Sequence, residues 1–577
     1  MASEFQVTGN NAEALFTLML HRGDGMCLVA MNWKKGKPPK DFVGFAIEYK
    51  EPGGDRFFAL KNRLCFPGAA GEVNPNRLSS RLSPIQKFRW AHFPRNAELP
   101  GEFVYKVTPV FMNNADELSY GEPQVAAIEL RRETYPGQLN VTFTRGFVSS
   151  QAFVDKYGSD AVGTLLPAKA DLGLDFVPTH PKAEEALAWM GFEARSAILE
   201  VLDQAIADKK AKVRAVVYDL NEPGLVSRLE KLGKRLKIII DDDGAHGKPK
   251  SGETLAAARL AVSAGKDNVK RQHLGKLQHN KTIVVDGPKV QAAVGGSTNH
   301  SWRGFFVQNN NAIILRGESV VKTFLAAFDN YWDNDDVGGF GKTASATWND
   351  LGLDGIDAQI GFSPRSKKNA VLKTIADDIG STESSLFFSL AFLYQTPGPI
   401  QDAIKKIKKD DNIFSYGISD HEVKGLLGKS ASGVALQKPD GKVTLVQPAA
   451  LMKNVPQPFK SEPTGGGGTR MHHKFVVIDF DKPSARVYMG SYNFSSAADI
   501  QNGENLLLIR DRRVAVSYVV EALRIFDHYH FRVAQQEAKE AKKTLQLARP
   551  PRKAGEKPWW HEDYTNARKI RDRELFA

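Results

Sequence analysis

Two stretches of the chain repeat one arrangement of histidine, lysine and aspartate. Residues 279–286 read HNKTIVVD and residues 472–479 read HHKFVVID. Each is followed downstream by Gly-Ser-x-Asn, ending at Asn299 and Asn493, and then without a gap by the similar stretches QNNNAIILR (308–316) and NGENLLLIR (502–510). A lone His-x-Lys arises by chance, whereas two extended copies indicate a duplicated structural unit with a shared function.

The residue types in the repeat suit attack on a phosphodiester without a metal ion. An imidazole can attack phosphorus or move a proton, so one histidine can serve as nucleophile and the other as general acid and base. Cationic and amide groups can hold the phosphoryl oxygens as charge develops, the task that Mg²⁺ performs elsewhere. The residues predicted to act in this way are His279, His472, Lys281, Lys474, Asn299 and Asn493, with Ser297 and Ser491 as additional donors.

The duplicated motif resembles that of the phospholipase D superfamily. The resemblance covers about residues 150–535, and the second copy is similar to nuclease-type members. It implies two similar α/β halves around a pseudo-twofold axis with one active site at their interface. It also implies a phosphohistidine intermediate and no metal or other cofactor.

One position distinguishes the two copies. Glu504 in the second copy falls where the first has Asn310. Members of the family tend to pair the residue here with the histidine of the opposite half. On that basis Glu504 should orient His279 as the nucleophile. Asn310 should hold His472 as a neutral partner and leave its pKa lower, as suits the acid and base.

The two motif aspartates, Asp286 and Asp479, complete the set of candidate catalytic residues. Both fall at the end of the strand that each motif begins. We favour a role in bracing that strand over direct chemistry.

Other polar residues near the motifs have simpler interpretations. His472 and His473 form no metal site, because a lysine follows them and no further ligand lies at metal-site spacing. Asp241–Asp243 follow an apolar strand, and a solvated loop is favoured there over a cation site. Trp302 and Arg303 could line a substrate groove or pack in the core.

The chain's composition is that of a soluble globular protein of several domains. It has 577 residues, of which 42% are hydrophobic and 25% charged, with a formal net charge of +12. This excess favours a polyanionic partner such as nucleic acid or an anionic phospholipid surface. Cys27 and Cys65 are expected to be free thiols. No secretory signal or transmembrane segment is evident, so a cytoplasmic protein is expected.

Hydrophobic periodicity predicts four regions. Residues 1–135 alternate short strands and turns, and resemble a fibronectin type III domain, an immunoglobulin-like β-sandwich. Residues 136–350 and 351–535 alternate strands with helices and form the two α/β halves. Residues 536–577 form a basic helical tail, in which docking on the body of the protein is the favoured role of Trp559 and Trp560.

The motifs indicate cleavage of a phosphodiester bond more firmly than they indicate which molecule contains that bond. Net charge, the absence of an evident export signal and the nuclease-like second copy favour nucleic acid, which is the predicted substrate, with phospholipid as the alternative. Intact paired motifs and the tail tryptophans, which could sit at a membrane interface as a peripheral contact, favour phospholipid. A non-catalytic scaffold is the remaining alternative, and the intact histidines, lysines and asparagines argue against it.

Overall fold

The computed structural model describes residues 4–577 except 68–77, 131–132, 147–152, 154–155, 159–160, 422, 424–433, 438–442, 447–470, 541 and 543–544. The strands of the N-terminal region are β1 Gln6–Thr8, β2 Phe16–Arg22, β3 Cys27–Trp33, β4 Phe42–Lys50, β5 Phe58–Ala59, β6 Arg89–His92, β7 Glu102–Met112, β8 Leu118–Tyr120 and β9 Gln124–Glu129.

These strands form two antiparallel sheets, ordered β1-β2-β3-β6 and β5-β4-β7-β8, with β9 pairing with β7. Alternate residues of both sheets, such as Leu18, Val29, Phe45 and Val107, meet in one buried cluster. An all-β N-terminal region is therefore confirmed, whereas its assignment as an immunoglobulin-like fibronectin type III sandwich stays a prediction. Cys27 and Cys65 are both buried and free, as expected.

The next region is a mixed α/β unit. Its strands are β10 Leu139–Phe143, β11 Lys212–Val217, β12 Leu236–Ile240, β13 Val269–Arg271, β14 Lys281–Asp286, β15 Gln291–Gly296 and β16 Asn311–Arg316. Its helices are α1 Ala161–Leu165, α2 Ala183–Ala207, α3 Pro223–Leu232, α4 Gly252–Ala264, α5 Trp302–Phe306, α6 Glu318–Asp333 and α7 Val337–Phe340. The sheet order is β10-β16-β15-β14-β11-β12-β13.

The following region repeats this plan. Its strands are β17 Asn349–Asp350, β18 Asp357–Ser363, β19 Ser385–Leu390, β20 Phe414–Ser419, β21 Val434–Gln437, β22 Val443–Val446, β23 Lys474–Ile478, β24 Arg486–Gly490 and β25 Glu504–Arg510. Its helices are α8 Leu372–Gly380, α9 Pro399–Ile407, α10 Ser496–Ile500 and α11 Arg512–Glu540, and α12 Ala567–Phe576 follows. The sheet order is β17-β18-β25-β24-β23-β19-β20-β21-β22.

The two larger sheets share a common core of strands. The path β10-β16-β15-β14-β11-β12 corresponds to β18-β25-β24-β23-β19-β20, with the last pair parallel and the others antiparallel in both. One face of each sheet contributes to a shared core, in which Val284 and Ile313 join Val477 and Leu507. The motif strands β14 and β23 therefore lie at equivalent central positions.

Backbone bridges join the halves directly beside the motifs. Gln278 pairs with Gly503, and Met471 pairs with Asn309. The first bridge joins the residue before His279 to the residue before Glu504. The second joins the residue before His472 to the residue before Asn310. The two bridges are therefore equivalent when the halves are interchanged, as expected of a pseudo-twofold axis.

The C-terminal segment packs back on the protein. Trp559 is partly buried, stacks on Phe88 at 5.2 Å and donates its indole N–H to the Phe42 carbonyl at 3.1 Å. Trp560 is 6% exposed in the N-terminal core. Docking of the two tryptophans is confirmed, since both rings pack against the N-terminal sheets, and the suggested peripheral membrane contact stays a prediction.

In the part of the chain that the structure covers, no helix has both the length and the apolar character required to cross a bilayer.

Candidate active site

The two motif histidines face each other at the junction of the halves. Each lies just ahead of its strand, β14 or β23, and each is 4% exposed. The ring centroids of His279 and His472 are 6.4 Å apart. This spacing leaves room for a tetrahedral phosphorus between two imidazoles that approach from opposite sides.

Each histidine is oriented by a side chain of the opposite half. His279 Nδ1 lies 2.7 Å from Glu504 Oε2, and His472 Nδ1 lies 2.7 Å from Asn310 Oδ1. The Asn310 amide nitrogen donates to the Gly304 carbonyl, so its oxygen must accept the Nδ1–H of His472. With Nδ1 engaged in both rings, Nε2 is the atom that each presents for chemistry.

The motif serines hold these two partners rather than the phosphate. Ser297 donates to Asn310 Oδ1 at 3.1 Å, and Ser491 donates to Glu504 Oε2 at 2.6 Å. Each hydroxyl also accepts a backbone N–H, from Asn311 or Asn505. A hydroxyl has one hydrogen, so their predicted role as phosphate donors is corrected to orientation of the histidine partners.

The two lysines lie beside the histidines and are each 1% exposed. Lys474 Nζ donates to the main-chain carbonyl of His472 at 2.9 Å, and Lys281 makes the same contact with His279. An aromatic ring covers each ammonium, Tyr218 at 4.7 Å and Phe392 at 5.3 Å. The two positive charges are thus fixed close to the space between the imidazoles.

The motif asparagines have different surroundings in the two halves. Asn299 is 3% exposed and donates to Asp219 Oδ2 at 2.7 Å, which fixes the plane of its amide. Asn493 is half-buried. The buried Oδ1 atoms of both have no hydrogen-bond partner among the described residues. Each amide nitrogen carries two hydrogens, so Asn299 retains one for a phosphoryl oxygen.

The motif aspartates lie away from the histidines. Five residues of strand place Asp286 about 17 Å from Lys281. Asp479 is 1% exposed, adopts φ = 53°, and accepts the backbone N–H groups of Glu383, Ser384 and Ser385. Neither position allows contact with a diester between the histidines. Their inclusion among catalytic candidates is therefore corrected to the bracing role favoured for them.

Burial dominates the ionisation of the site. It lowers the pKa of both His279 and His472 well below the usual value, and Lys281 and Lys474 lower it further. Burial also raises the pKa of Glu504 to about 7, against the opposing effect of Lys281. Burial and the two lysines thus act on both rings, and the expectation that the pKa of His472 is the lower of the two stays a prediction.

Two buried aspartates, one in each half, have a positioning role that was not predicted from the sequence. Asp241 is fully buried and accepts the backbone N–H of Gln278 at 2.6 Å. Asp420, at the same place in the second half, accepts the backbone N–H of Met471 at 3.1 Å. Each carboxylate therefore fixes the residue ahead of a motif histidine. The interpretation of Asp241 as part of a solvated loop is wrong, although Asp243 is exposed.

A histidine accompanies each of these aspartates. His246 Nδ1 lies 2.7 Å from Asp241 Oδ2, and His421 Nδ1 lies 3.1 Å from Asp420 Oδ2. The signal in the sequence is an aspartate directly after an apolar strand with a histidine shortly after it, in both halves. Recurrence in the two copies, rather than either residue alone, could have revealed it.

The first half adds further polar groups around His246. Its Nε2 lies 3.1 Å from Asp219 Oδ1, and Tyr218 lies between the rings of His246 and His279 at 4.4 and 4.7 Å. Burial alone would lower the pKa of His246, but hydrogen bonds with Asp219 and Asp241 outweigh it and raise the pKa to about 11.

One group of described residues is close enough to share a metal ion. The candidate ligand atoms of Asp219, His246 and Glu253 all lie within 4.8 Å of one another. An imidazolium has no lone pair for a metal. With a carboxylate at each ring nitrogen, the arrangement suits an ion-pair network that supports Asn299.

Two further sequence alternatives are resolved by packing. Trp302 is 2% exposed and donates to the Gly173 carbonyl at 2.8 Å, so it belongs to the core. His473 is fully buried with its Nε2 3.0 Å from Glu521 Oε1 on α11. Neither residue faces the space between the motif histidines.

Comparison with known proteins identifies the class to which this fold and site belong. A family model described as the PLD-like domain of cardiolipin synthase matches residues 196–332 and 379–526, which include both motifs. The chain therefore belongs to the phospholipase D superfamily, a family of phosphodiesterase-type enzymes.

Individual relatives match over shorter stretches. Phospholipase D of Rickettsia felis is 46% identical over 48 residues, 8% of this chain and 22% of that protein. Mitochondrial cardiolipin hydrolase of Chlamydomonas reinhardtii is 28% identical over 109 residues, 19% of this chain and 44% of that protein. The chain thus spans less than half the length of either relative.

Among solved structures, phosphatidylserine synthase of Haemophilus influenzae is similar, with a TM-score of 0.40 and 11% identity, over 61% of this chain and 92% of that chain.

Proposed function

We propose that the protein cleaves phosphodiesters by way of a phosphohistidine on His279. The observation that carries the proposal is the pair of cross-half hydrogen bonds, in which a carboxylate holds His279 and a neutral amide holds His472. A carboxylate stabilises the positive charge that a ring acquires on bonding to phosphorus, and an amide provides no such charge. This difference favours His279 as nucleophile and His472 as acid and base.

The proposed reaction has two steps. First, Nε2 of His279 attacks phosphorus, the bond to the leaving oxygen breaks, and Nε2–H of His472 protonates that oxygen. Then His472 removes a proton from water, the water oxygen bonds to phosphorus, and the P–N bond breaks to release a phosphomonoester and free His279. Lys281, Lys474 and Asn299 hold the phosphoryl oxygens throughout.

His472 takes up the proton that it donates in the first step when the substrate binds. Without substrate, burial and then the positive charges of Lys281 and Lys474 lower the pKa of both imidazoles. A diester anion between them opposes the lysine charge and raises the pKa of His472. Binding of substrate therefore charges the acid that the first step consumes.

We infer that the diester is that of a glycerophospholipid. The relatives named phospholipase D and cardiolipin hydrolase, together with the cardiolipin synthase family model, support this substrate class. The nucleic-acid diester is the second candidate, and the net charge of +12 is the observation in its favour.

The test compares substrates in the presence of excess chelator. Bis-p-nitrophenyl phosphate, cardiolipin vesicles, phosphatidylcholine vesicles, single-stranded DNA, duplex DNA and RNA are incubated with wild type, His279→Ala and His472→Ala. We expect hydrolysis of the generic diester and of a phospholipid by wild type, and loss of at least about 10³-fold in either variant. His273→Ala, a partly exposed histidine paired with Asp242, is the matched control and should retain activity.

Rapid quenching in alkaline denaturant, which preserves the acid-labile P–N bond, followed by mass spectrometry identifies the phosphorylated residue. Phosphate on His279 is the expected result. Phosphate on His472, or activity that requires an added metal, would contradict the mechanism. Cleavage of nucleic acid but not of lipid would reverse the order of substrates while leaving the mechanism intact.

A further inference from the structure

A cavity of about 540 Å³ lies away from the catalytic histidines, where three parts of the chain meet. Its aromatic walls are Trp90 and Phe93 from the N-terminal region, Trp189 from α2 and Phe531 from α11. The volume is within the range of small-molecule sites, and junctions between domains are common places for them.

The wall of this cavity carries an excess of positive charge. Lys61, Arg63, Lys87, Arg145 and Arg524 line it, with Asp527 as the acidic residue among the described lining residues. That carboxylate is already paired with Lys87 at 3.2 Å and with Arg89 at 3.3 Å. Arg524 is likewise paired, with Glu521 outside the wall. A ligand in the cavity therefore meets the positive charge of Lys61, Arg63 and Arg145, which form no ion pair with the residues that the structure describes.

Arg145 is the cation with the least compensation. Its guanidinium lies 4.8, 4.6 and 4.5 Å from the ring centroids of Phe93, Trp189 and Phe192. Its Nε is buried, and no side-chain hydrogen bond or ion pair joins the guanidinium to any residue that the structure describes. Burial, and then the nearby Arg524, lower the pKa of Arg145 to about 9, against the opposing charge of Glu193. An anionic head group at this position would supply the hydrogen-bonded partner that Glu193 does not provide.

The polar side chains of the wall are used by the fold itself. The Asn62 amide donates to the Ser83 and Pro84 carbonyls, and the Gln86 amide donates to the Val43 and Ala548 carbonyls. These amides therefore have no hydrogen left to read the edge of a nucleobase or a sugar. Aromatic surface and positive charge are what the wall offers to a ligand.

We propose that this cavity binds a single-chain anionic amphiphile, with its head at Arg145 and its alkyl chain between the aromatic rings. A phosphate head, as in a lysophosphatidate, and a carboxylate head, as in a fatty acid, share this chemistry. The site is separate from the diester site, so its occupancy does not depend on the proposed reaction.

The experiment measures binding to the full chain by calorimetry, with tryptophan fluorescence as a second readout. The probes are dodecyl phosphate, dodecanoate, dodecanol, AMP and inorganic phosphate, with the alkyl-chain probes kept at concentrations at which they remain monomeric. Dodecyl phosphate and dodecanoate should bind at least 10-fold more tightly than dodecanol, AMP or inorganic phosphate, and the tighter of the two identifies the head.

Variants locate the site. Arg145→Gln should weaken dodecyl phosphate binding at least 10-fold, and Ala91→Trp, which places a ring in the cavity, should abolish it. Arg228→Gln, a surface arginine paired with Asp203, and Lys474→Gln in the diester site should leave it unchanged. Equal binding of AMP, unchanged binding in Ala91→Trp, or loss in Lys474→Gln would overturn the proposal.

Discussion

The carboxyl group of Glu504 is subject to two opposing effects, burial and a neighbouring histidine that becomes charged. It lies fully buried against His279 and receives hydrogen bonds from Ser491 and Asn502. Its burial opposes ionisation, whereas positive charge on His279 requires it. The residue therefore links the chemistry of the site to the stability of the protein.

Glu504→Gln should lower the turnover number about 10²-fold, because a neutral amide no longer stabilises a charged His279. The substitution should also change how stability depends on pH. The pKa of Glu504 is raised to about 7 in the folded protein from 4.5, so folding favours its protonated form. The contribution of Glu504 to the unfolding free energy is therefore complete below about pH 4.5 and is lost as the pH rises to about 7.

The measurement is chemical unfolding of wild type and Glu504→Gln across this pH range. The difference in unfolding free energy, wild type minus variant, should fall between about pH 4.5 and 7 and be flat above. A difference that rises over this interval would show that Glu504 is ionised more readily in the folded state than when unfolded.

Asp241 is expected to act through the backbone next to His279 rather than on the substrate. Asp241→Asn removes the charge that pairs with His246 and weakens the hold on the Gln278 N–H. We expect a decrease of about 10-fold in kcat with little change in KM, since a misplaced nucleophile affects the chemical step most. Asp242→Asn, the adjacent aspartate paired with His273 at the surface, is the matched control. An equal effect of both substitutions would remove the positioning role.

At the scale of elements, helix α11 connects the second motif to the rest of the protein. Glu521 on this helix is fully buried, 3.0 Å from His473 Nε2, and is also paired with Arg524. Arg524 and His473 thus share one buried carboxylate. Through this contact the helix holds His473, the residue directly before β23.

Glu521→Gln should destabilise the protein by about 3 kcal/mol, because it leaves a buried arginine without its charged partner. Thermal unfolding measures the effect. Arg512→Gln on the same helix, an exposed residue that bonds to Gln6, should change stability by no more than about 0.5 kcal/mol. A similar loss in both variants would indicate that the helix, not the buried pair, is responsible.

The repeat in the sequence located the histidines because each directly precedes a buried strand, a pattern visible locally. The partnership of His279 with Glu504, 225 residues apart, followed from comparing the two copies and from the family. The burial of Asp241 could not be predicted in this way. An aspartate after an apolar strand looks the same whether solvent or another segment covers it, and here the Gln278 backbone and His246 cover it.

The serines illustrate the same limit. Ser297 and Ser491 lie two residues before the asparagines predicted to bind phosphate, which suggested a similar role. The direction of a hydroxyl depends on acceptors brought in by β16 and β25, which the local pattern does not contain. The sequence thus predicted which residues form the site better than it predicted the hydrogen bonds between their side chains.

At the scale of the whole molecule, α12 joins the N-terminal sheets to the second half. Phe576 is 1% exposed among Phe387, Phe414 and Phe480, and its carbonyl lies 2.6 Å from His21 Nε2 on β2. Arg89 on β6 pairs with Asp572 of the same helix at 3.0 Å. The helix therefore fastens two regions that are distant in sequence.

Phe576→Ala should lower the stability by about 3–5 kcal/mol, the cost of a large cavity among aromatic rings. Limited proteolysis and thermal unfolding would report the loss. Val177→Ala, at a side chain that is 75% exposed, serves as the control and should melt like wild type. An unchanged melting temperature in Phe576→Ala would show that α12 contributes little to the joining of these regions.

The bond between His279 and Glu504 also has a consequence for the order of synthesis. A ribosome makes the first motif long before it reaches residue 504, so the nascent chain carries His279, the proposed nucleophile, without the carboxylate that holds it. His472 likewise arrives after Asn310 is already in place. On the proposed mechanism, cleavage of a diester can therefore begin only when the second half has emerged and folded onto the first.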